Sequence, residues 1–303
     1  MNSHSVSGWI YLDKPIGISS NQALQKTRKI FGNCKAGYVG TLDPLASGFL
    51  PIALGRSTKT IQYMQNHEKE YVFEVKWGVK TLTGDLEGKI EASIKKIPHK
   101  SDISKVLKKF FPDYFQTPHR FSAKKIKGIK AYQLARKKID FELKQQKKKI
   151  HKLEILNSIS SDRTRFYVKC ESGTYIRSLV EDIAHSLATY GTVISLRRIG
   201  FGNLDKKLIS LDYLLSLVHI EDLLDIVKPI NMVFNSFNQI FLEKKDVELI
   251  LDGRPIKMKD FKNGDGFLEK QIALAKFENE FVAVGYLKDG NFYPKNLLNN
   301  LFV

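Results

Sequence analysis

The chain has 303 residues, of which 43% are hydrophobic and 11% aromatic, so it can enclose a sizeable core and is not a disordered polypeptide. Its 49 Lys and Arg against 32 Asp and Glu give a formal net charge of +17, which predicts a polyanionic partner. No apolar run approaches the roughly 18 residues that span a bilayer, no secretory signal opens the chain, and two cysteines are too few for a disulfide framework. We therefore expect a soluble, cytoplasmic protein.

The first third of the chain predicts alternating strands and helices. Residues 9–12 form an apolar run that is typical of a strand, and Ser19 or Ser20 can cap a helix over NQALQKTRKIF. The letters STKTIQYM predict a second helix. Residues 71–77 alternate large apolar with polar side chains, the pattern of a half-buried strand, and residues 81–88 are rich in turn formers.

The middle of the chain carries a basic, amphipathic segment over residues 116–152. Residues 120–138 include eight basic side chains and no acid, whereas residues 233–303 carry ten of each sign. We interpret 116–152 as an arm or insertion around a helix near residues 132–138. Basic runs of this kind are also common on surfaces that contact only solvent, so the charge alone does not establish nucleic-acid binding.

The remaining pattern predicts a strand at 164–170, a helix at 175–190 and a strand at 192–199. The segment KPINMVFNSF interrupts it and indicates a domain boundary near residues 228–235. Beyond the boundary, short strands separated by glycine turns predict a small β-rich domain. These glycines are Gly253, Gly264, Gly266, Gly285 and Gly290.

The segment KAGYVGTLDPLASGFLPIAL sets the carboxylate of Asp43 in a turn-forming loop. Pro44 disfavours a helical conformation at Asp43, and shaped loops on rigid scaffolds often carry catalytic side chains. The nearest acids along the chain are Asp13 and Glu68, which favours a nucleophile or an ion-pair partner over a local carboxylate pair. An Asp-Pro step is equally common at the start of an ordinary turn, so this segment alone leaves a purely structural role for Asp43 open.

Four segments in order carry a resemblance to a known family: GYVGTLDPLASGFLPIALGRSTK, EYVFEVKWGVKTLTGDLEG, QTPHRFSAKKIKGIKAYQLAR and ESGTYIRSLVEDIA followed by SLRRIG. Together they resemble the tRNA pseudouridine synthase B family, strongly over residues 8–202 and weakly beyond. The resemblance implies an enzyme that isomerises uridine to pseudouridine at position 55 in the T loop of tRNA, without metal or organic cofactor.

The resemblance also implies the fold. We expect an α+β protein with a mixed, largely antiparallel central sheet, flanking helices and an active cleft across the middle of the sheet. Residues 1–231 would form the catalytic domain, with an RNA-binding, thumb-like arm at about 116–152. Residues 232–303 would form a small β-rich domain related to the PUA fold.

By the same resemblance, Asp43 is a buried, ionised nucleophile and Arg177 is its cationic partner, although an arginine early in a helix could equally lie on the surface. A carboxylate can add covalently and leave again, and a buried carboxylate needs a cation to offset its desolvation. Tyr71 matches the family's active-site tyrosine, whose ring can stack on the extruded uracil and whose hydroxyl can transfer a proton. Tyr175 and Leu196 match the wall of the pocket, although apolar packing in the core would explain Leu196 equally well.

The RNA contacts are expected from the arm, where Lys125, Lys130 and Arg136 are our candidates for contacts to phosphates. One position departs from the family. Two residues after Ala36 the family usually has a histidine that contacts the bases, whereas Tyr38 stands here. Tyrosine can still stack on a base, but it has no imidazole, so proton transfer from this position is in doubt.

Other classes fit less well. The seven histidines are scattered with no HExxH, and neither GxxxxGK[ST] nor GxGxxG occurs, which disfavours metal- and nucleotide-dependent enzymes. A non-catalytic RNA-binding or RNA-folding protein stays open, and so does an RNA-guided pseudouridine synthase acting in a larger ribonucleoprotein. We expect a monomer that acts on the tRNA T-arm stem-loop with no obligate protein partner and no membrane association.

Overall fold

The fold was analysed in a computed structural model, which describes residues 6–217, 219–230, 238–258 and 271–298. Within these ranges no helix is long and apolar enough to cross a membrane. Strands are numbered in chain order: β1 Gly8–Lys14, β2 Ala36–Tyr38, β3 Ser47–Leu54, β4 Lys69–Trp77, β5 Val79–Thr81, β6 Ile90–Ser93, β7 Asp113–Gln116, β8 Lys125–Ile126, β9 Ile129–Lys130, β10 Gln146–Ser160, β11 Arg163–Cys170, β12 Gly191–Phe201, β13 Ile209–Ser210, β14 Asn238–Phe241, β15 Ile256–Lys257, β16 Ile272–Phe277, β17 Glu280–Lys288 and β18 Asn291–Leu297.

Short amphipathic helices accompany these strands. The helices are α1 Ser20–Ile30, α2 Ile61–Met64, α3 Lys100–Leu107, α4 Ala131–Arg136, α5 Ile176–Ser186, α6 Leu211–Ser216, α7 Ile220–Asp225 and α8 Lys244–Leu251. The predicted cap of α1 is confirmed, because the Ser19 side chain accepts from the Gln22 backbone N–H and the Gln22 side chain accepts in return from the Ser19 backbone N–H.

A nine-stranded sheet forms most of the molecule, in the order β13-β1-β3-β12-β4-β11-β10-β7 with β2 paired to β3. Only two of its pairings, β1 with β13 and β3 with β12, are parallel. The expected α+β class with a mixed, largely antiparallel sheet is therefore confirmed. Strand β4 lies near the middle and alternates buried with half-buried residues along its whole length, as its sequence predicts.

The core packs aromatic rings from β4 against β11. Phe73 and Phe166 are fully buried and stack with ring centroids 5.2 Å apart, and Trp77 meets Phe166 edge to face. Where β3 and β12 run side by side, Gly48 (φ +100°) allows their backbones to touch, since a Cβ there would lie 2.2 Å from the Arg198 carbonyl oxygen. This contact brings β12 against the segment that contains Asp43.

Two helix predictions need correction. The helix predicted over STKTIQYM begins as a 3₁₀ helix, Gly55–Thr60, and becomes α-helical only over α2. Two Thr residues and Ser57 in this stretch favour such a tight start, because their side chains compete for backbone groups; Thr58 and Thr60 both bond carbonyls three residues back. The helix predicted over 175–190 ends at Ser186, just before Ala188 takes a positive φ of +51°.

The basic arm leaves one edge of the large sheet and returns to it. Strands β7 and β10 pair antiparallel at its base, with Gln116 opposite Gln146. Between them the chain forms the two-stranded hairpin of β8 and β9 and then α4. The predicted insertion is thus a folded element, and its predicted helix is confirmed with bounds shifted toward the N-terminus.

The C-terminal part forms a separate five-stranded sheet in the order β14-β16-β17-β18-β15. Sequence reasoning missed its helix α8, which packs buried Val247 and Ile250 beneath the sheet. Gly253 and Gly290 occupy turns with positive φ as expected, whereas Gly285 lies inside β17. Gly264, Gly266 and the expected domain boundary between 231 and 232 lie outside the described residues.

Candidate active site

A cavity of about 310 Å³ opens where the Asp43 loop, the strands β4 and β12, the start of α5 and the arm meet. Asp43, Tyr71, Tyr175, Arg177 and Leu196 all line it. Five residues that are far apart in the sequence are therefore brought together. The arm completes one wall of the cavity through residues 122–124.

The loop that carries Asp43 is held on both sides of the carboxylate. The Ser20 hydroxyl at the start of α1 accepts from the Leu42 backbone N–H at 2.8 Å and donates to the Leu42 carbonyl at 2.9 Å. The Gly17 backbone N–H donates to the Pro44 carbonyl at 2.8 Å. These bonds fix the backbone around Asp43, so its side chain projects from a rigid turn.

Arg177 lies at the centre of the site and is 6% exposed. Its Nη2 lies 2.9 Å from Asp43 Oδ2, and its Nη1 lies 3.6 Å from Oδ2 of Asp85, a carboxylate that is 2% exposed. The guanidinium also donates to two carbonyls, of Thr83 at 2.8 Å and of Phe121 at 3.0 Å. Burial of this cation is offset by two carboxylates and two carbonyl dipoles.

The ion pair between Asp43 and Arg177 has the expected partners but not the expected burial. The Asp43 side chain is 36% exposed, so the expectation of a buried carboxylate is wrong. The buried member is the arginine. The carboxylate therefore faces the cavity with one edge and holds the cation with the other.

Asp85 is a residue that sequence reasoning missed. It lies within the turn-rich letters TLTGDLEG, and its carboxylate accepts from the Thr83 hydroxyl and from the Glu87 backbone N–H at 3.1 Å. The backbone of Thr83 in turn accepts from Arg177. The turn thus supplies Arg177 with both a second anion and a carbonyl. A buried acid among turn residues was the signal that could have indicated this role.

Tyr71 is 8% exposed and shares a hydrogen bond with the fully buried Arg198. Burial raises the pKa of the Tyr71 phenol, while the Arg198 charge opposes the rise, so the hydroxyl stays protonated at neutral pH. Arg198 Nε donates to the Phe49 carbonyl at 2.6 Å and Nη2 donates to the Gly40 carbonyl at 2.8 Å. It thereby joins Tyr71 to the loop that carries Asp43, and sequence reasoning missed it.

Leu196 and Tyr175 form two further parts of the cavity wall, and neighbouring segments hold both of them in place. Leu196 lies on β12 opposite Phe73 of β4 and is 7% exposed, so it serves both the core and the cavity surface. The backbone of Tyr175 is clamped by one side chain of the arm base, because Gln116 accepts from the Tyr175 N–H at 2.8 Å and donates to its carbonyl at 2.9 Å. Burial raises the pKa of the Tyr175 phenol.

None of the four predicted RNA-contacting residues lines this cavity. Tyr38 is half-buried on β2, opposite Ile52, and packs against the main core. Lys125 and Lys130 face each other across the exposed arm hairpin. Lys130 and Arg136 both lie over the Tyr132 ring, at 5.8 Å and 5.5 Å from its centroid.

Two buried lysines add positive charge around the cavity, and neither was predicted. Lys14 Nζ donates to the carbonyls of Pro15 and Ile18, and burial lowers its pKa to about 8 although Asp43 opposes the shift. Lys69 lines the cavity, and burial lowers its pKa to about 7. In the described parts of the chain, no three His, Cys, Asp or Glu side chains are grouped so as to hold a metal ion.

The chain is similar in sequence to known proteins. The sequence model described as "TruB family pseudouridylate synthase (N terminal domain)" matches residues 28–176. The "tRNA pseudouridine synthase B" of Chelativorans sp. (strain BNC1) is 36% identical over 307 residues, covering 97% of this chain and 96% of that protein. The protein of the same name from Agrobacterium fabrum is 34% identical over 302 residues, covering 96% and 94%.

Solved structures share the fold. The structure described as "H/ACA RNP bound to a substrate RNA containing 2'-deoxyuridine" contains a chain that superposes with a TM-score of 0.72 at 22% identity, covering 97% of this chain and 85% of that one. A chain of the "archaeal box H/ACA sRNP Nop10-Cbf5 complex" gives 0.71 at 22% identity, covering 96% and 86%. At this identity the similarity establishes the architecture.

Lys69 makes the stability of this region depend on pH. Its pKa is about 7 in the folded protein and 10.5 in an ordinary environment, so between these values the unfolded chain binds more protons and the free energy of unfolding rises with pH. Below pH 7 both states are protonated and this dependence disappears. We expect the unfolding free energy of the wild type, minus that of Lys69→Met, to increase by about 2 kcal/mol from pH 7 to pH 9.

Chemical denaturation at both pH values measures this difference. Lys169→Met is the matched control, because Lys169 pairs with Glu68, the residue before β4, and its pKa is raised, so both states stay protonated over this range. The prediction would be contradicted if the difference in unfolding free energy between the wild type and Lys69→Met were the same at both pH values.

Proposed function

The chain belongs to the tRNA pseudouridine synthase B family, and on this premise we propose that it isomerises uridine to pseudouridine at position 55 in the T loop of tRNA. The reaction breaks the bond between the sugar and N1 of uracil, turns the base and joins the sugar to C5. The proton displaced from C5 is lost and N1 gains one, so atoms and electrons balance without a redox cofactor. The protein has to supply a nucleophile, a proton acceptor and a sheltered pocket.

The observation that carries the proposal is a partly exposed carboxylate, Asp43, that faces the cavity and contacts the buried cation Arg177. Arg177 contacts the Asp43 carboxylate at 2.9 Å and holds it in place, and the 36% exposure leaves that carboxylate accessible to a substrate. An ionised, accessible carboxylate on a rigid loop can add to the sugar or the base and leave again. We assign Asp43 as the nucleophile and Arg177 as the residue that holds it.

The other cavity residues fit the handling of an extruded base. Tyr71 and Tyr175 offer aromatic faces at the cavity surface, and Leu196 offers an apolar contact. The volume of about 310 Å³ is at the lower end for small-molecule sites and suits a single nucleotide. Tyr71 carries a protonated hydroxyl beside the reacting carboxylate, so it can take part in proton transfer once its environment changes.

Extraction of the target base costs a few kcal/mol of lost stacking, and phosphate contacts can offset this cost. The arm offers them beside the cavity: Lys124 lines the cavity itself, and Lys125 and Lys130 are exposed on the hairpin next to it. Arg136 and Lys130 flank the Tyr132 ring, a combination that suits a base or a sugar-phosphate backbone. Tyr38 is half-buried on β2, which leaves it a stacking role at the edge of the bound loop.

The division into domains follows the two sheets. We propose that residues 1–231 form the catalytic domain and that residues 232–303 form a small RNA-binding domain, whose balanced charge contributes little electrostatic affinity. We further propose that the chain acts alone, as a monomer in the cytoplasm, on the bare T-arm stem-loop. A requirement for a guide RNA or for accessory proteins would favour the RNA-guided alternative.

Replacement of the nucleophile tests the reaction. We expect Asp43→Asn to abolish pseudouridine formation in a T-arm stem-loop, mapped by mass spectrometry, because the amide cannot act as an anionic nucleophile. Binding of the same RNA should change less than threefold, since the substitution keeps the shape of the loop.

Asp162→Asn, in the exposed turn between β10 and β11, is the matched control and should retain full activity. Residual modification by Asp43→Asn would overturn the assignment of the nucleophile. A wild type that binds the stem-loop but forms no pseudouridine would instead support a non-catalytic RNA-binding protein.

Neutralisation of the arm tests the RNA clamp. We expect the double variant Lys125→Gln, Lys130→Gln to weaken T-arm binding about tenfold at 0.1 M salt, because two phosphate contacts are lost. The slope of log affinity against log salt should fall by roughly 0.7–0.9 for each contact. Lys295→Gln, exposed on β18, makes the same kind of charge change elsewhere and should leave both quantities nearly unchanged. An unchanged slope for the double variant would show that the hairpin does not contact phosphates.

A further inference from the structure

His119 lies in the first part of the arm and is 6% exposed, and both of its ring nitrogens are engaged. Nδ1 accepts from the Phe121 backbone N–H at 3.1 Å, and Nε2 lies 3.3 Å from Glu181 Oε1. A backbone N–H can only donate, so Nδ1 carries no proton in this arrangement. The neutral ring therefore has its hydrogen on Nε2 and donates it to the Glu181 carboxylate.

The backbone of Phe121 links this histidine to the reacting centre through two consecutive peptide groups. Its N–H is held by His119, and its carbonyl accepts from Nη2 of Arg177 at 3.0 Å. The same Nη2 contacts Asp43 Oδ2 at 2.9 Å. The guanidinium is planar, so the bond from Nη2 to the Phe121 carbonyl limits how the group can turn and keeps Nη2 in its ion-pair contact with Asp43.

Helix α5 presents both contacts from a single face. Arg177 and Glu181 are four residues apart, one turn along α5, and they meet Phe121 and His119 respectively. The turn residue Gly84 packs behind the pair, because a Cβ there would lie 3.1 Å from His119 Nε2 and 3.2 Å from Glu181 Oε1. The imidazole is confined, and its Nδ1 can hold the Phe121 N–H in one direction.

On the basis of the proposed function, we propose that His119 is a positioning residue: through Nδ1 it fixes the peptide group that precedes Phe121, which holds the Phe121 carbonyl against Arg177 and keeps Arg177 at Asp43. The arm thereby supplies part of the reacting geometry in addition to RNA contacts. Its docking on α5 is required to direct the guanidinium at the carboxylate. An RNA that moves the arm away from α5, or that docks it there, would change the rate of the chemical step through the contacts of His119, Phe121 and Arg177.

The alternative is that His119 only fastens the arm to α5 through Glu181. The arm has a second fastening that is independent of His119, because Gln116 clamps the Tyr175 backbone through two hydrogen bonds. Loss of the imidazole should therefore leave the arm docked. Two conservative substitutions can separate the two roles of the ring.

Asparagine places its side-chain oxygen near the Nδ1 position but cannot reach Glu181. Glutamine reaches the Nε2 position with an amide N–H but offers no acceptor at Nδ1. We expect His119→Gln to lower the single-turnover rate of pseudouridine formation about tenfold, because small misplacements of reacting groups are costly. His119→Asn should stay within about threefold of the wild type. The dissociation constant for the T-arm stem-loop should be unchanged in both.

Crystal structures of the two variants give a readout that does not depend on activity. The Phe121 carbonyl should stay within hydrogen-bonding distance of Arg177 Nη2 in His119→Asn and leave it in His119→Gln. Full activity of His119→Gln with the carbonyl still in place would overturn the proposal. A wild-type rate in His119→Gln but not in His119→Asn would show that His119 only fastens the arm to α5 through Glu181. This result would also overturn the proposal.

Failure of the proposed function would look different. In that case the wild type would form no pseudouridine in any tRNA, whereas the carbonyl positions in the two variant structures would still decide whether His119 orients Arg177.

Discussion

The site depends on one buried cation. The Arg177 guanidinium is 6% exposed and lies against two carboxylates, one half-open to the cavity and one closed off from solvent. Removal of one partner from a buried charge network leaves an uncompensated charge, so such networks hold their members in a single arrangement. The Asp43 loop, the Thr83–Asp85 turn and the arm each contact this side chain.

This arrangement explains how a single carboxylate can serve as a reactive group without a metal. Arg177 holds Asp43 in place, and the buried Asp85 gives the buried guanidinium a second anionic partner. Electrostatic preorganisation of this kind acts before the substrate arrives, so little reorganisation is required during the reaction. Tyr71 is held from the other side by Arg198, which also grips the backbone on both sides of the Asp43 loop. Catalytic loop and stacking tyrosine are therefore fixed relative to each other.

Much of this could be predicted from local sequence signals. The alternation over residues 71–77 predicts β4 because one face of that strand is buried, and Pro44 predicts a shaped loop at Asp43. Contacts between distant segments could not be predicted in this way. Asp43 is isolated from other acids along the chain, yet Asp85 contacts the same guanidinium, because the turn after β5 folds back beside α5.

Local sequence patterns also fail to predict the direction in which a side chain points and how deeply it is buried. The residues that flank Arg177 are both buried, so periodicity leaves the direction of the arginine open, and the pairing with Asp43 came from the family resemblance. His119 reads in the sequence as one scattered histidine among seven, and only the fold brings it within reach of Phe121 and Glu181. The C-terminal helix α8 was missed because its eight residues lie among turn signals.

The single-turnover rate of Arg177→Lys on a T-arm stem-loop tests the central claim most directly. Lysine keeps the positive charge but has no planar fork, so it cannot hold Asp43, Asp85 and two carbonyls at once. The account predicts a rate at least about 100-fold below that of the wild type, with RNA affinity unchanged. A lysine variant with nearly the wild-type rate would show that charge alone suffices and would contradict the geometric role assigned to Arg177.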